Sequence, residues 1–549
     1  MIKNFHVAFA LTLALNLFIS STCAQKPGLK SITIEELETH LTYLASDELE
    51  GRATGEPGLD LAAKYLAEQA SRIGLEPIDK NRDYFQEYTL VKKVQDQSTS
   101  SISITRKNGS ISEVRKPLFC LNAESDTIDL SGELVFAGYG IYSAKDNYNS
   151  FENIDLKDKI VLVMSRGPMD HDNDTSLLQN RDWNDLSTWR YKLNGLAMRM
   201  PKAILMVMDP RSDYQSIDQY ASGMIRYLTQ SSTVKELGNQ RRSMMPGIAA
   251  KILFIHREAA DEMLKGSGKT LIELQDNIDS SLKPNSFVFP DTRVNIYTRY
   301  NIEEKPIPNV AGLIKGSDPE MREEVIVFTA HFDHLGKNVR GEIYNGADDN
   351  ASGTAALIEI GEAFVKQQKD LKRSVLILWF SGEEIGLFGS KFYADQPLIP
   401  LDQTVANVNL DMIGTVRTSR DTGFIYREKV SVVGMDSISV IGGHQSSELL
   451  DIHNKSTRKM GMASDFSMNS PDHPYRYYYR SDHYNFAKND IPVLFYSTGI
   501  HVDYHKPSDN YERINFTKLE KVTELAFLVG YKLATQTERI KVDNPYSEW

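Results

Sequence analysis

Hydrophobic residues follow three different patterns along the 549-residue chain. From position 32 to about 78 they recur at helical spacing, and a polar, glycine-containing break at 50–55 separates two predicted helices. In the middle of the chain, short β-like runs are separated by polar loops; they lie at 132–139, 159–164, 203–208 and 252–255. From 306 to about 534 apolar strands alternate with helices. This change of pattern, together with the length, predicts more than one domain.

The third pattern predicts a parallel sheet. Its strand candidates are continuous apolar runs at 325–330, 375–380, 405–410 and 491–496, and a helix at 351–368 separates the first two. Such runs with helical crossovers are typical of strands that are buried on both faces. The fold class that follows is α/β, with a mostly parallel central sheet flanked by helices. In such sheets the functional site lies beyond the carboxyl ends of the strands.

Residues that can bind metal or transfer protons follow each of these four strands. The segments are His331-Phe332-Asp333-His334, Ser381-Gly382-Glu383-Glu384, Asp411, and a loop with His501, Tyr504 and His505; Gly346-Ala347-Asp348-Asp349-Asn350 precedes the helix. Each alone has an ordinary explanation, such as a capped or acidic helix start. Together they bring several carboxylates and histidines to one edge of the sheet with few cations. Buried carboxylates without partners are costly, and metal ions would neutralise them.

The charges of this set indicate two ions. Asp348, Glu384 and Asp411 carry three negative charges, and His331 and His505 are neutral ligands. Two divalent cations would leave about one positive charge, which favours a bridging hydroxide at neutral pH. Oxygen and nitrogen ligands without sulfur fit zinc, and also manganese or cobalt.

The same segments resemble the co-catalytic zinc aminopeptidase family, which also includes glutamate carboxypeptidases. The motifs that carry the resemblance are His331-Phe332-Asp333, Gly346-Ala347-Asp348-Asp349-Asn350-Ala351-Ser352-Gly353, Gly382-Glu383-Glu384, Asn409-Leu410-Asp411, Arg480-Ser481-Asp482-His483 and Tyr504-His505. The resemblance implies that Asp348 bridges the two ions and that the Asp348–Asp349 peptide bond is cis. It implies that His331 and Asp411 hold one ion, and that Glu384 and His505 hold the other.

The resemblance also implies roles for three residues that do not bind metal. Glu383 would be the general base, Asp333 would orient His331, and Tyr504 would donate a hydrogen bond to the oxyanion. From the residues alone, either Glu383 or Glu384 can bind metal, because adjacent side chains in an extended loop point in opposite directions.

The resemblance further implies a domain organisation. Secreted members of the family often carry a protease-associated domain inserted ahead of the first ligand, and the segments 136–141 and 155–163 resemble its strands. We therefore expect a signal peptide at 1–24, lead-in helices that pack on the peptidase domain at 25–119, a β-rich protease-associated domain at 120–290 and the di-zinc catalytic domain at 291–549.

The N-terminal segment predicts export. Lys3 precedes an apolar run at 7–19, and small residues follow up to Ala24, as in a signal peptide. The run is short for a membrane span, so no stable membrane insertion is expected. Lipidation of Cys23 is the alternative to a secreted or periplasmic protein. The net charge of −12 argues against a nucleic-acid partner.

These features predict an aminopeptidase that removes N-terminal residues from peptide substrates. Three alternatives remain at this point. A carboxypeptidase or dipeptidase-type amidohydrolase would use the same metals and hold a substrate carboxylate, for which Arg480 is a candidate. A glutaminyl cyclase would use the same fold, and a binding module would have kept the fold without the chemistry.

Overall fold

The computed structural model describes residues 25–78, 83–121, 126–183, 188–220, 230–238, 250–338, 340–425 and 428–546. The predicted signal peptide at 1–24, including Cys23, lies outside these residues. Across the described ranges, every helix is too short or too polar to cross a membrane.

The chain divides into two compact units. Unit 1 comprises the described residues up to Leu90, the segment Val234–Gly238 and the chain from Lys305 onward. Unit 2 comprises the described residues of Val91–Thr233 and Asn239–Glu304. Unit 2 therefore begins before and ends after the insert expected at 120–290. Its identity as a protease-associated domain stays a prediction.

The longer elements are numbered here in chain order. The helices are α1 Gln25–Ser31, α2 Ile34–Leu44, α3 Pro57–Ile73, α4 Trp189–Ala197, α5 Arg257–Leu264, α6 Leu271–Ser281, α7 Gly353–Lys366, α8 Phe388–Asp395, α9 Ser447–Lys459 and α10 Phe516–Thr535. The strands are β1 Phe85–Thr105, β2 Ile111–Val114, β3 Leu118–Leu121, β4 Thr127–Phe136, β5 Ile160–Met164, β6 Ala203–Val207, β7 Gln230–Val234, β8 Lys251–Ile255, β9 Phe287–Ile314, β10 Val325–His331, β11 Ser374–Phe380, β12 Thr404–Leu410, β13 Ser437–Gly442, β14 Ala463–Asp465 and β15 Val493–Ser497.

The sheet of unit 1 has the strand order β14-β13-β15-β12-β10-β11-β9, with the last part of β9 at its edge. The four strands at its centre, β15, β12, β10 and β11, run parallel to one another. Every residue of these four strands is buried, as expected for strands covered on both faces. The predicted mostly parallel α/β sheet is confirmed.

The helices of unit 1 cover this sheet through their apolar faces. Helix α2 begins after Thr33, whose hydroxyl accepts a hydrogen bond from the Glu36 N–H (3.2 Å). Its buried residues Leu37, Leu41 and Leu44 recur at helical spacing. Helix α3 starts at Pro57 and ends before Gly74, which has a positive φ of 89°. Both predicted N-terminal helices are confirmed, and both contact α7.

Unit 2 has its own sheet and core. Its strand order is β9-β4-β5-β6-β8-β3, with the first part of β9 at one edge. The inner strands β4, β5, β6 and β8 are parallel, and the two outer pairs are antiparallel. The four β-like runs predicted in the middle of the chain correspond to these inner strands.

Candidate metal centre

The predicted reactive residues lie where the parallel strands end. His331 is the last residue of β10, Glu383 and Glu384 follow β11, Asp411 follows β12, and the loop after β15 leads to His505. Because these strands are neighbours and parallel, their carboxyl ends meet at one edge of the sheet. Four of the five predicted ligands come together there: His331, Glu384, Asp411 and His505.

The carboxylate that joins these four residues belongs to Asp349. Its Oδ1 lies 3.4 Å from His331 Nε2, which is also 3.4 Å from Asp411 Oδ1. Its Oδ2 lies 3.1 Å from His505 Nε2, which is 3.3 Å from Glu384 Oε2. One carboxylate therefore presents one oxygen to each of two separate pairs, and each pair consists of a histidine and a carboxylate.

The structure does not place Asp348 in this arrangement, contrary to the sequence prediction. The Gly414 N–H and the Thr415 hydroxyl donate to the two oxygens of Asp348 at 2.7 and 3.0 Å. His501 Nε2 is 3.4 Å from the same carboxylate. The cis peptide bond is likewise one position later than predicted, between Asp349 and Asn350. Two adjacent aspartates in an irregular turn face opposite sides, and the motif alone does not say which one faces the other ligands.

The turn that aims Asp349 requires a glycine at its start. Gly346 has a φ of 55°, in the left-handed region. A Cβ at this position would lie 2.2 Å from the Asp349 carbonyl oxygen and 2.5 Å from the His334 ring. The glycine of the motif is therefore a steric requirement of the turn.

His334 is a second histidine beside the Glu384 side of the centre. Its Nδ1 lies 2.7 Å from Glu384 Oε1 and 3.7 Å from Asp349 Oδ2. His505 Nε2 lies 3.1 Å from Asp349 Oδ2 and 3.3 Å from Glu384 Oε2, so it is about equally far from the two carboxylates. One ligand atom each of His334, Asp349 and Glu384 lie within 4.8 Å of one another, so His334 is a second candidate ligand here, and the family resemblance is what assigns the place to His505.

The electrostatics of the five residues fit metal ions. Within the described chain, the ion pairs of Asp349, Glu384 and Asp411 are all with histidines. Burial lowers the pKa of His505, but Glu384 and Asp349 outweigh it and raise that pKa to about 10. Burial also opposes protonation of His331, yet Asp411 and Glu383 hold its pKa well above its usual value. Metal ions would replace these protons, because a metal binds the neutral imidazole.

A cavity opens above these residues. Glu383 and Tyr504 line it beside the metal-ligating set, and apolar side chains form another part of its wall. The Tyr504 ring stacks on His505 at 3.8 Å between ring centroids, and its hydroxyl accepts a hydrogen bond from Arg480 Nη2 at 3.3 Å. Burial raises the pKa of the Glu383 carboxyl well above its ordinary value, although His331 opposes the shift. A carboxyl with a raised pKa in a cavity can accept and release a proton.

Residues 309–529 match the model of peptidase family M28. The chain carries a peptidase family M28 domain. The family resemblance read from the motifs is thereby confirmed. All five residues of the metal centre, together with Glu383 and Tyr504, lie within the matched range.

Curated relatives match less than half of the chain. The probable leucine aminopeptidase of Trichophyton verrucosum (strain HKI 0517) is 28% identical over 239 residues, which are 42% of this chain and 58% of that protein. Aminopeptidase YwaD of Bacillus subtilis (strain 168) is 25% identical over 240 residues, 42% of this chain and 46% of that protein. The chain therefore spans about half the length of the curated relatives it matches.

Two solved structures share the fold over most of the chain. The aminopeptidase from Aneurinibacillus sp. strain AM-1 superimposes with a TM-score of 0.52 at 16% identity, covering 94% of this chain and 97% of that one. BSAP, a zinc aminopeptidase from Bacillus subtilis, gives a TM-score of 0.52 at 15% identity, covering 94% and 98%.

Asp333 supports the M28 domain's centre in a way the motif did not predict. The expected role was to orient His331, but His331 Nδ1 is 3.1 Å from the Asp333 carbonyl oxygen and 3.8 Å from its carboxylate. The carboxylate instead accepts hydrogen bonds from the N–H groups of Glu383 (3.1 Å) and Glu384 (3.4 Å). It also accepts one from the Thr54 hydroxyl (2.7 Å). Asp333 thus fixes the backbone that carries both glutamates.

Arg52, which precedes the M28 domain in the chain, holds two of its loops. The side chain is 1% exposed. Its guanidinium donates to the carbonyl oxygens of Phe332 (2.8 Å), Asn345 (2.7 Å) and Gly346 (3.0 Å), and also to that of Leu44. Burial lowers the pKa of Arg52 to about 10, although Asp349 and Asp333 oppose the shift. The Arg52 side chain therefore links the loop after His331 to the turn before Asp349 through hydrogen bonds.

Replacement of this arginine should be costly for stability. We expect Arg52→Met to lower the free energy of unfolding by about 3 kcal/mol or more, because four carbonyl groups, three of them in buried residues, lose a charged donor. Urea unfolding followed by tryptophan fluorescence measures the change. The matched control is Arg322→Met on the exposed surface of unit 1, which should change stability by less than about 0.5 kcal/mol. Equal effects of the two substitutions would contradict this role of Arg52.

Two further side chains position the ligands, and the sequence did not single them out for this role. The Ser481 hydroxyl donates to Asp411 Oδ2 at 2.7 Å. The carboxylate of Asp509 accepts hydrogen bonds from the N–H groups of Asp348 (3.1 Å) and Asp349 (3.2 Å). Ser481 lies in a quoted motif, so a signal for it existed. Asp509 is an isolated acidic residue without any such signal.

Proposed function

We propose that this protein is a two-zinc aminopeptidase that removes apolar residues from the N-termini of peptides. The observation that carries the proposal is the position of Asp349, whose two carboxylate oxygens face two separate pairs of a histidine and a carboxylate. A shared carboxylate between two sets of oxygen and nitrogen ligands fits two divalent ions.

In this proposal, each side chain of the centre has a defined task. Asp349 would be shared by both ions, His331 and Asp411 would hold the first, and Glu384 and His505 would hold the second. When bound, the ions would polarise the scissile carbonyl and make a water molecule a better nucleophile. Three carboxylates and two neutral imidazoles leave this pair of ions with a small positive excess, which suits an anionic transition state.

Two residues of the cavity would act on the substrate directly. Glu383 would take a proton from the attacking water and pass it to the leaving amine, which requires a carboxyl whose pKa can approach the working pH. The burial that raises the pKa of Glu383 supports this role. The Tyr504 hydroxyl would donate a hydrogen bond to the oxyanion. The hydrogen bond that its oxygen accepts from Arg480 Nη2 supports this role, because it holds the hydroxyl in place beside a cation.

The wall of the cavity supports an apolar substrate side chain. The apolar residues that line it are Met412, Ile441, Met468, Tyr477, Phe495 and Ile500. An aliphatic side chain of the first substrate residue would be desolvated against this wall. The name of the Trichophyton verrucosum relative, probable leucine aminopeptidase, agrees with this preference.

The state of Arg480 argues against a carboxypeptidase. Its guanidinium forms an ion pair with Glu428 and also donates to the Tyr504 hydroxyl. Arg480 is therefore already neutralised and is poorly suited to bind the C-terminal carboxylate of a substrate. Among the described residues that line the cavity, Glu383 is then the one carboxylate that neither proposed ion neutralises, which favours a substrate with a free ammonium group.

The proposal includes export from the cytoplasm. Its support is the signal-like pattern at 1–24, where an apolar run follows Lys3 and precedes small residues. Peptides outside the cytoplasm would then be the substrates.

Paired substrates test the proposed activity. We expect the protein to hydrolyse leucyl-p-nitroanilide and to leave N-acetyl-leucyl-p-nitroanilide intact, because the acetyl group removes the ammonium charge. Prolonged dialysis against a chelator should abolish the activity, and zinc should restore it. Undiminished hydrolysis after metal removal, or equal rates on the free and blocked substrates, would contradict the proposal.

A further inference from the structure

A second cluster of metal-ligating side chains lies where helices α2 and α7 pack together. Glu36 and His40 are one helical turn apart on α2, and Glu359 and Glu362 are one turn apart on α7. Oxygens of the three glutamates all lie within 4.8 Å of one another. His40 Nε2 lies 3.7 Å from Glu359 Oε1. None of these four residues takes part in the metal centre described above.

The cluster contains three buried polar atoms without hydrogen bonds. They are His40 Nε2, Glu359 Oε1 and Glu362 Oε2. The side chains of His40 and Glu359 are 4% and 0% exposed, and that of Glu362 is 19% exposed. Buried polar atoms are nearly always paired, and one ion in contact with all three atoms would account for them together.

The charges call for a divalent cation as that partner. The three glutamates contribute three negative charges, and Lys366 pairs with one of them, with its Nζ 2.8 Å from Glu362 Oε1. Arg72 is an exposed neighbour that donates to Gln69. The remaining two negative charges equal the charge of one divalent ion. Without an ion, burial and the charges of Glu36 and Glu362 raise the pKa of Glu359 to about 8, which reflects how poorly the protein itself compensates this carboxylate.

His40 is prepared to act as a neutral ligand. Its Nδ1 lies 2.6 Å from the Tyr65 hydroxyl, which fixes the ring and leaves Nε2 directed at Glu359. Burial, together with Arg72, lowers the pKa of His40 to about 4, so the imidazole stays uncharged. A proton on Nδ1, donated to the Tyr65 oxygen, would leave the Nε2 lone pair free for a metal.

We infer that Glu36, His40, Glu359 and Glu362 form a binding site for one divalent transition-metal ion, separate from the metal centre. Three carboxylates and one imidazole are a donor set that suits zinc or manganese. The ion would clamp α2 to α7, the helix that follows the turn of Asp349. This inference does not depend on the proposed peptidase activity.

The number of zinc ions per chain tests the site. Full-length wild-type protein, Glu359→Gln and the control Glu38→Gln, which changes an exposed residue of the same helix, are dialysed against zinc and analysed for metal. We expect Glu359→Gln to bind one ion fewer than the wild type and Glu38→Gln to bind the same number. The expected difference of one ion between the wild type and Glu359→Gln does not depend on how many ions the metal centre binds.

An anomalous difference map at the zinc edge gives the position of the ion. A peak next to Glu359 and Glu362 in the wild type, absent in Glu359→Gln, is the expected result. If Glu359→Gln does not fold, Glu36→Gln at the half-exposed end of the cluster replaces it, with at least a tenfold loss of zinc affinity for this site expected. Equal zinc counts with no peak at the cluster would mean that Glu359 is simply protonated, which would overturn the inference.

Discussion

Glu383→Gln should lose about 100- to 10,000-fold in kcat on leucyl-p-nitroanilide while retaining its zinc. Glutamine has nearly the same shape as glutamate, so the Glu383 N–H can still donate to Asp333 and the loop can keep its path. The amide cannot accept the proton of the attacking water, and general base catalysis contributes about this range in rate. Steady-state kinetics together with metal analysis of the same sample measures both effects.

The control for this substitution removes an exposed glutamate of the same unit. Glu538→Gln changes the net charge by the same amount and should leave kcat and the zinc count unchanged. A loss of less than about tenfold in Glu383→Gln would exclude Glu383 as the base. A large loss accompanied by loss of zinc would instead mean that Glu383 is itself a ligand, which the sequence alone left open.

The sequence was sufficient to predict the sheet and the edge where the site lies. Continuous apolar runs are specific for strands covered on both faces, and β10, β11, β12 and β15 formed where such runs occur. Because parallel strands end at one edge, the polar segments that follow these runs could be placed together at that edge. The family resemblance then chose Glu384 over Glu383 and His505 within its loop, and the structure brings His331, Glu384, Asp411 and His505 together.

The turn before α7 could not be predicted to the same precision. Asp348 and Asp349 have the same chemistry and adjacent positions, and only the backbone path decides which side chain faces the histidines. That path depends on Gly346, on the N–H groups held by Asp509 and on the carbonyl groups held by Arg52. Asp509 and Arg52 lie far away in sequence, so no local pattern contained the answer.

The supporting residues were missed for a related reason. Arg52 and Thr54 lie in the lead-in expected at 25–119, but the family resemblance gave them no partner. Their contacts with Asp333 and Gly346 are made across the fold. Periodicity and motif spacing report on neighbours in the chain, whereas these hydrogen bonds join segments that only the tertiary structure brings together.

Asp349→Asn and Asp348→Asn form the sharpest pair of substitutions in this protein. We expect Asp349→Asn to lower the affinity for at least one zinc ion by more than about 100-fold, since residues that merely support metal ligands already contribute 10- to 100-fold. Asparagine has a single carboxamide oxygen, so it cannot face both His331 and His505 with an oxygen. Asp348→Asn keeps an acceptor for Gly414 or Thr415 and should change zinc affinity by roughly tenfold or less. Zinc affinity is measured by competition with a chromogenic chelator.

The two variants differ only in position, so each is the control for the other. Both lose one buried negative charge, and both keep the size of the side chain. A general destabilisation of the turn would therefore weaken zinc binding in both, whereas a shared ligand at position 349 predicts a large effect in one only. The loss of zinc should also remove activity. We therefore expect kcat on leucyl-p-nitroanilide to fall sharply in Asp349→Asn at zinc concentrations that saturate Asp348→Asn. The reverse order, with Asp348→Asn losing zinc and Asp349→Asn retaining it, would restore the role that the sequence first assigned to Asp348 and would contradict the geometry around Asp349.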